Sequence, residues 1–262
     1  MSLTSIHKNS TKNPSVRIQK LLAHHGLGSR RQIESWIADR RIKIDGQIAQ
    51  LGDRLNHYQN IQLDGKLIRL SKQKNVVPKI IVYHKPTGEV CSRKDEQGRR
   101  TKFESLPELK NNRWVCIGRL DLNTSGLLLL TNNGDWAHQL MHPSSQVERE
   151  YAVRVLGHPS LEDISALKAG IKIDGASIKF DAIKEAGGEG ANRWFHVIVK
   201  EGKYRMVRRL WEARNMTVSR LIRVRYGNIC LPKRIRMGQS ILLEPTETKA
   251  LMNLCQPQIQ QF

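Results

Sequence analysis

The chain has 262 residues, enough for one large domain or for a large domain with a small one. Its 44 lysines and arginines exceed its 24 aspartates and glutamates and give a formal net charge of +20, which indicates a polyanionic partner such as a nucleic acid. No apolar run approaches the roughly 20 residues that cross a bilayer, and the four cysteines are too widely spaced for a disulfide framework or a zinc site. We therefore expect a soluble, cytoplasmic protein with reduced thiols and no membrane partner.

After a polar segment at 1–15, which we interpret as a mobile tail, the sequence predicts a small module of helices and hairpins at 16–72. Apolar residues at helical spacing predict a first helix that ends at Gly26. Ser29, followed three residues later by Gln32, predicts the capping box of a second helix. The module is therefore expected to begin with two short helices.

Two hairpins are expected after these helices, because alternating apolar and polar residues surround Asp45-Gly46 and again Asp64-Gly65. Two arginine pairs flank the second helix and could bind phosphates on one surface, although an ordinary solvated face is the alternative. These pairs are Arg30 with Arg31 and Arg40 with Arg41. The segment resembles the signature of S4 RNA-binding domains at Ser29-Arg30-Arg31, Ile37, Arg41-Ile42 and Asp45-Gly46. The resemblance implies that this module binds RNA.

A charged stretch that ends near Pro78 predicts a linker at 73–79, since proline breaks any helix that would cross it. From 80 to 247 strand-like runs dominate, and they do not alternate regularly with long helices as in a doubly wound parallel fold. We therefore expect an α+β fold with a mixed, mainly antiparallel sheet in this second domain, and a C-terminal tail at 248–262. The predicted strands are 80–84, 114–117, 127–131, 149–157, 171–173, 194–200, 218–226 and 240–244, and the predicted helices lie near 135–141, 161–169 and 204–214.

The stretch GRLDLNTSGLLLLT places Asp121 in a polar loop, two residues after Arg119 and shortly before an apolar run. An aspartate in this position is commonly a turn or capping residue, because its carboxylate accepts hydrogen bonds from nearby backbone donors. A loop backed by a rigid strand can instead hold one carboxylate at the rim of a cleft. Asp121 is therefore a candidate catalytic residue.

Two further segments carry candidate site residues. In the strand REYAVRVLG, Tyr151 could stack on a planar base or serve as a core aromatic. In EGKYRMVRRLWEARN, Val207 belongs to an apolar stripe with arginines around it, and Arg208 could simply pair with Glu212 one helical turn later. The two segments supply an aromatic ring and a cation that could complete a site with Asp121.

Basic residues are concentrated near the end of the second domain. Residues 203–236 hold eleven lysines and arginines and one glutamate. Arginines alternate with apolar residues along the strand predicted at 218–226, so some of them should line a continuous basic surface. We expect RNA contacts from Arg209, Arg220, Arg223 and Arg225.

Taken together, GRLDLNTSGLLLLT, EREYAVRV and EGKYRMVRRLWEA resemble the three motifs of the ribosomal RNA pseudouridine synthases, in the group that modifies small-subunit and large-subunit RNA. The resemblance spans about residues 16–247, since that group also carries an N-terminal S4 domain. It implies isomerisation of uridine to pseudouridine in ribosomal RNA, without cofactor or metal, by a monomeric enzyme. Large-subunit RNA, free or in an assembling particle, is the expected substrate, and small-subunit RNA is the alternative.

The resemblance also implies roles for the candidate residues. Asp121 matches the catalytic aspartate, which either attacks C1′ of the ribose or removes the C2′ proton. Arg208 matches the basic residue that pairs with this aspartate, and Tyr151 matches the tyrosine that stacks on the base. Substrate contacts are implied for Arg119, Arg205 and Val207, with Arg119 as an RNA-contacting or base-flipping side chain and Val207 as an apolar floor under the ring.

Two other classes of function compete with this interpretation. A non-catalytic RNA-binding factor for ribosome assembly would share the basic charge, but it would be expected to lack the aspartate, the tyrosine or the arginine, and all three are present. A metal-dependent RNA enzyme would need clustered ligands, and the nearest candidates are His138 and His142, which Pro143 follows without an acid cluster. We therefore expect no metal site.

Overall fold

The structure is a computed structural model that describes residues 15–55, 59–70, 77–92, 106–109 and 113–255. The chain divides into two compact units, with a boundary between Val77 and Pro78. This boundary falls within the linker predicted at 73–79, most of which lies outside the described residues, as does nearly all of the predicted tail at 1–15. No helix in the described part of the chain is long and apolar enough to span a membrane.

The first unit combines two helices with short antiparallel strands. Its elements are β1 (Val16–Arg17), α1 (Ile18–His24), α2 (Arg30–Ala38), β2 (Ile42–Ile44), β3 (Gln47–Ile48), β4 (Arg54–Leu55), β5 (Ile61–Leu63) and β6 (Lys66–Ile68). Four strands form a sheet in the order β3-β2-β5-β6, and β1 pairs with β4. Both helices pack apolar side chains against one core with these strands.

Helix α2 begins where the sequence predicts it. Ser29 Oγ accepts a hydrogen bond from the backbone N–H of Gln32 at 3.0 Å, which satisfies one of the unpaired donors of the first turn. Ile33 and Ile37, one helical turn apart, are buried in the core of the unit. The apolar stripe and the cap together account for this helix.

Both predicted hairpins are present in the first unit. Asp45 and Gly46 join β2 to β3 with φ angles of 49° and 87°, and Asp64 and Gly65 join β5 to β6 with φ angles of 51° and 76°. A two-residue type I′ turn requires positive φ at both central positions, which asparagine, aspartate and glycine tolerate best. The Asp-Gly pairs therefore determine where these strands reverse.

The second unit is built on a nine-stranded sheet with helices packed against it. Its elements are β7 (Ile80–Lys85), β8 (Val115–Ile117), β9 (Ser125–Thr131), α3 (Gly134–Met141), a 3-10 turn (Pro143–Ser145), β10 (Arg149–Leu156), α4 (Leu161–Ala169), β11 (Ile171–Ile173), β12 (Ala176–Ile178), β13 (Ala182–Glu185), β14 (Asn192–Val199), α5 (Met206–Glu212), β15 (Thr217–Tyr226), β16 (Ile229–Cys230), β17 (Ser240–Leu242) and α6 (Pro245–Asn253). The main strand order is β13-β14-β10-β15-β9-β7-β17, with β8 added to β9 and β16 added to β15. All neighbours are antiparallel except β15 and β9, so the predicted mixed, mainly antiparallel sheet is confirmed.

The parallel junction between β9 and β15 depends on a glycine. Gly126 lies opposite Arg223 and has a φ of 106°. A Cβ atom at Gly126 would lie 2.3 Å from the carbonyl oxygen of Arg223, a distance that no real Cβ contact adopts. This close approach brings the loop before β9, which carries Asp121, next to the strand that follows α5.

Each strand and helix predicted for this unit is present with ends within two residues of the prediction. The prediction missed β12, β13, β16 and α6. Helix α6 crosses the domain boundary predicted at 247, and its Leu251 is fully buried, so the structured part extends into the segment predicted as a C-terminal tail. Pro245 at the first turn and a capping box between Glu244 and Glu247 are the sequence signals for this helix.

Candidate active site

The loop that carries Asp121 lies between β8 and β9 and is held by backbone hydrogen bonds. The Thr124 N–H donates to the Asp121 carbonyl at 3.1 Å, and the Gly88 N–H donates to the Leu122 carbonyl at 2.9 Å. Leu120 and Thr124 are buried on either side of the aspartate, whereas Asp121 itself is partly exposed. The loop therefore presents the carboxylate at a surface while its neighbours anchor the backbone.

A buried lysine that the sequence prediction missed donates hydrogen bonds to the backbone of this loop. Lys85, the last residue of β7, has no solvent exposure, and its Nζ donates to three carbonyl oxygens. These belong to Pro86 at 2.9 Å, Thr124 at 2.9 Å and Asp121 at 3.1 Å. A buried ammonium is costly unless hydrogen bonds replace its hydration, so this arrangement couples β7 to the Asp121 loop. The signal in the sequence is a lysine that ends the mostly apolar strand IIVYHK.

Arg208 holds the same loop from the side of helix α5. Its side chain is buried, with Nη2 donating to the Asn123 carbonyl at 2.9 Å and Nη1 donating to the Val218 carbonyl at 2.7 Å. Among the described residues, no ion pair within 4.0 Å joins Arg208 to Asp121, so the direct pairing that the resemblance implies is absent here. The arginine instead fixes the backbone two residues after the aspartate.

The electrostatic environment of Arg208 reflects this buried position. Burial lowers the pKa of its guanidinium, the nearby Arg205 charge lowers it further, and the charges of Asp121 and Glu212 oppose both effects. The alternative helical pairing of Arg208 with Glu212 is wrong, because Glu212 forms its ion pair with Arg205 at 3.4 Å. Arg208 therefore faces Asp121 as a neighbouring charge without touching its carboxylate.

One cavity of about 870 Å³ brings most of the predicted substrate-binding residues together. Its walls come from the Asp121 loop, strand β10, residues 201–207 and strand β15. The predicted site residues on its surface are Arg119, Asp121, Tyr151, Arg205, Val207 and Arg223. A cavity of this size matches the range of pockets that hold small molecules or a single nucleotide. Arg208 does not line the cavity and acts on it through the loop.

Tyr151 and Val207 contribute aromatic and apolar surface to this cavity. Tyr151 is half-buried and packs against two apolar clusters of the unit, and β10 has a register shift against β15 between Glu150 and Tyr151. Val207 is buried at the start of α5. The backbone that carries the Tyr151 ring is therefore fixed within the sheet. The side chains of Tyr151 and Val207 line the same cavity as Asp121.

Arg223 is buried and lines the cavity, so it does not lie on the exposed basic surface that the sequence predicts. Its side chain is 2% exposed, and Nε donates to the Leu127 carbonyl at 2.7 Å. The Arg223 guanidinium carbon lies 5.3 Å from the centre of the Tyr226 ring, and that of Arg149 lies 5.1 Å from it. Burial raises the pKa of the Tyr226 hydroxyl, although these two arginines oppose the shift. Residues three apart on a regular strand face opposite sides, so Arg220 and Arg223 do not share a surface.

Arg225 and Arg209 are engaged by acidic residues of the unit. Arg225 binds Glu150 at 2.8 Å and Glu148 at 3.1 Å, and Arg209 pairs with Asp174. Burial lowers the pKa of Arg225, but the hydrogen bonds to the two glutamates raise it above its usual value. Arg220 is exposed. The continuous basic surface predicted for these four arginines is therefore not formed by all of them.

The four arginines predicted to bind RNA in the first unit are all exposed. Arg41 makes two hydrogen bonds to Asp64, at 2.8 and 2.6 Å, and its guanidinium carbon lies 5.6 Å from the Trp36 ring. The hydrogen bonds raise the pKa of Arg41 and lower that of Asp64. Arg41 thus ties two hairpins together, whereas Arg30, Arg31 and Arg40 present their side chains to solvent.

The histidine pair that was the nearest candidate for metal binding packs ring against ring. His138 and His142 have ring centres 5.4 Å apart, and His142 Nδ1 lies 2.7 Å from Ser144 Oγ. Within the described residues, no group of three or more histidines, cysteines, aspartates or glutamates is arranged to hold a metal ion. The cavity surface combines the Asp121 carboxylate and the Tyr151 ring with several cations, and Glu201 and Tyr204 also line it.

An S4 module followed by this sheet and cavity defines a class of RNA-modifying enzyme. A family model described as RNA pseudouridylate synthase matches residues 79–221, and an S4 domain model matches residues 16–57. The chain therefore belongs to the RNA pseudouridylate synthase family. This result confirms the family resemblance, the fold class and the enzyme class that the sequence predicted.

Individual relatives are similar over most of the chain. The chain is 49% identical over 236 residues to ribosomal large subunit pseudouridine synthase B of Pasteurella multocida, covering 88% of this chain and 68% of that protein. It is 47% identical over 242 residues to the protein of the same name from Escherichia coli strain K12, covering 92% of this chain and 83% of that protein. A solved structure titled "Crystal structure of pseudouridylate synthase" has a TM-score of 0.63 and 25% identity, and the match covers 90% of this chain and 100% of that one.

Proposed function

We propose that this protein converts a uridine of large-subunit ribosomal RNA into pseudouridine. The observation that carries the proposal is the cavity in which Asp121, Tyr151 and Val207, from three distant segments, share one surface. The names of the similar proteins supply the substrate, since they are ribosomal large subunit pseudouridine synthases B. The same reaction on small-subunit RNA is the alternative that the substrate test distinguishes.

Asp121 is the catalytic residue of this proposal. Its carboxylate either attacks C1′ of the ribose or removes the C2′ proton, and in both routes the bond between N1 of uracil and C1′ breaks. The detached uracil turns and rejoins C1′ through C5, after which the C5 proton leaves. Arg208 and Lys85 are positioning residues, because each holds a carbonyl of the Asp121 loop while its charge remains inside the protein.

Tyr151 and Val207 hold the uracil ring while it is detached. A tyrosine face stacks on a planar base, and an apolar side chain beneath the ring limits its movement to rotation. The Tyr151 hydroxyl is the candidate acceptor for the C5 proton. Water would compete for the reactive carbon, so a nucleotide that fills the cavity also protects the intermediate.

The target uridine must leave its stack before its glycosidic bond can reach Asp121. Arg119 is exposed and also lines the cavity, which supports a role in contacting or flipping the nucleotide. Arg30, Arg31 and Arg40 of the S4 unit supply phosphate contacts that offset the unstacking energy. We further propose that the protein acts as a cytoplasmic monomer, without metal or cofactor, on ribosomal RNA that is free or in an assembling particle.

A tritium-release assay tests this function. The purified protein is incubated with large-subunit and, separately, small-subunit ribosomal RNA transcribed with uridine that carries tritium at C5. Formation of pseudouridine exchanges the C5 hydrogen, so tritium should appear in water from the large-subunit transcript. Release from the small-subunit transcript alone would move the substrate, and release from neither, with tight binding to both, would favour a non-catalytic RNA-binding factor.

A further inference from the structure

Tyr204 is an exposed aromatic residue at the mouth of the cavity. Its side chain is 74% exposed, yet it lines the same cavity as Asp121 and Tyr151. Within the described part of the chain, no hydrogen bond, ion pair or ring contact involves this side chain. An isolated exposed apolar residue is ordinary on a protein surface, but a large ring beside a catalytic cavity offers a flat contact surface for a ligand.

The backbone beneath Tyr204 is fixed. Arg205 adopts the left-handed conformation, with φ of 47° and ψ of 29°, and the Met206 N–H donates to the Lys203 carbonyl at 3.2 Å. Met206 and Val207, the first residues of α5, are buried immediately afterwards. The turn therefore presents the ring from a rigid base, which reduces the conformational entropy lost when a ligand stacks on it.

The two residues that flank Tyr204 in the sequence form ion pairs with other residues. Lys203 pairs with Glu201 at 2.6 Å, and Arg205 pairs with Glu212 at 3.4 Å. Tyr204 thus lies in the sequence between two cations that are paired with glutamates. Its exposed ring can contact a ligand at a rim of the cavity that also carries the exposed Arg119. This combination of an available ring and nearby cations suits a single-stranded nucleic acid, which offers base faces and phosphates together.

From this geometry we propose that Tyr204 stacks on the nucleobase next to the flipped uridine. The inference rests on the proposed function. Flipping removes a stacking partner from each neighbour of the target nucleotide, and the Tyr204 ring replaces one of these partners outside the cavity. Tyr151 and Tyr204 then have different ligands, since the first holds the target base inside the cavity and the second holds the adjacent base at its mouth.

Fluorescence of 2-aminopurine tests this role directly. The probe is a fragment of large-subunit ribosomal RNA around the uridine that the wild-type protein modifies, with 2-aminopurine placed on one side or the other of that uridine. The parent protein carries Asp121→Asn, so that the RNA stays unreacted. In complex with the parent, one of the two probes should be quenched by stacking, and adding Tyr204→Ala should restore its fluorescence.

The variants separate stacking from other roles. Stacking of one base on one aromatic ring corresponds to roughly 5- to 150-fold in affinity, so Tyr204→Ala should weaken RNA binding by at least about fivefold. Tyr204→Phe keeps the ring and should retain both quenching and affinity. Leu161→Ala changes another large exposed residue, 88% exposed and away from the cavity surface, and should behave as the parent does.

Three results would overturn the inference. The first is unchanged fluorescence and affinity with Tyr204→Ala, the second is lost affinity without a fluorescence change at either probe, and the third is a Tyr204→Phe variant that behaves like Tyr204→Ala. Failure of the proposed function is distinguishable, because in that case the wild-type protein releases no tritium from the large-subunit transcript.

Discussion

The ammonium group of Lys85 holds the backbone of Asp121, because Nζ donates a hydrogen bond to the Asp121 carbonyl at 3.1 Å from a position without solvent exposure. The same ammonium also binds the Thr124 carbonyl, so it spans both ends of the short segment that contains the catalytic candidate. The carboxylate therefore stands on a loop whose backbone is tied to the end of a central strand.

Replacing Lys85 by methionine should destabilise the protein. Lys85→Met preserves much of the apolar stem but leaves buried carbonyls without their donor, and each unsatisfied buried group costs about 1–3 kcal/mol. We expect the free energy of unfolding in denaturant to fall by about 2–4 kcal/mol. Lys168→Met, at an exposed position of α4, is the matched control and should change stability by less than about 0.5 kcal/mol. Equal stabilities of the two variants would contradict the role of Lys85.

A methyl group at Gly126 should break the junction between β9 and β15. Gly126→Ala places Cβ 2.3 Å from the Arg223 carbonyl oxygen and forces a residue with a side chain to adopt a φ of 106°. We expect a loss of more than about 3 kcal/mol or a failure to fold, measured by thermal and denaturant unfolding. Gly134→Ala is the control, because a methyl group at that position would meet no other atom within 4 Å, and its stability should shift by less than about 1 kcal/mol. A folded Gly126→Ala protein of normal stability would contradict this account.

The forked guanidinium of Arg208, which binds two carbonyls at once, should matter more for activity than the positive charge alone. Arg208→Lys keeps a cation but cannot bind the Asn123 and Val218 carbonyls together, since lysine has one compact donor group. A shift of the Asp121 loop by about 1 Å lowers kcat by roughly a hundredfold, so we expect kcat to fall by about 10- to 100-fold with a smaller change in KM. Arg214→Lys, which affects a partly exposed ion pair with Asp163, should leave kcat within about twofold. A normal kcat for Arg208→Lys would show that the fork does not position the loop.

The ionised Glu150 carboxylate should stabilise the fold at neutral pH, and this stabilisation should disappear at acidic pH. Burial raises its pKa, but hydrogen bonds from Arg225 and His196 outweigh that effect and hold the pKa below its ordinary value of 4.5. Because the folded pKa lies below the unfolded one, the stabilisation is complete above the unfolded pKa and is lost as the pH falls through the folded pKa. We expect Glu150→Gln to lose about 1 kcal/mol of unfolding free energy at pH 7 and nothing below the folded pKa. Denaturant unfolding across this pH range would contradict the prediction if the difference between the two proteins stayed constant.

Much of the fold could be predicted because its signals are local. The Asp45-Gly46 and Asp64-Gly65 turns were recognised from two residues each, and the Asp174-Gly175 turn between β11 and β12 uses the same chemistry, with φ angles of 50° and 77°. That third hairpin was missed although its signal is equally clear. Local chemistry therefore defines all three hairpins, including the one at Asp174-Gly175.

The sequence does not predict which arginine side chains are buried. A run of arginines indicates positive charge, but it does not tell which side chains turn inward to satisfy backbone carbonyls. Arg223 reaches the Leu127 carbonyl, and Arg208 reaches the carbonyl of Asn123, only because the sheet brings residues about 90 positions apart into contact. The motifs identify the residues of the candidate site, whereas the tertiary fold determines which of them face the cavity and which support it.

A map of pseudouridines in ribosomal RNA tests the central claim most directly. The map is made from cells that lack the protein and from the same cells supplied with the wild-type protein, with Asp121→Asn or with Asp174→Asn, a carboxylate control at an exposed position of the second unit. We predict that one large-subunit uridine is modified with the wild-type protein and with Asp174→Asn but remains unmodified with Asp121→Asn, although that variant folds and binds RNA. An unchanged map without the protein, or full modification by Asp121→Asn, would contradict the account.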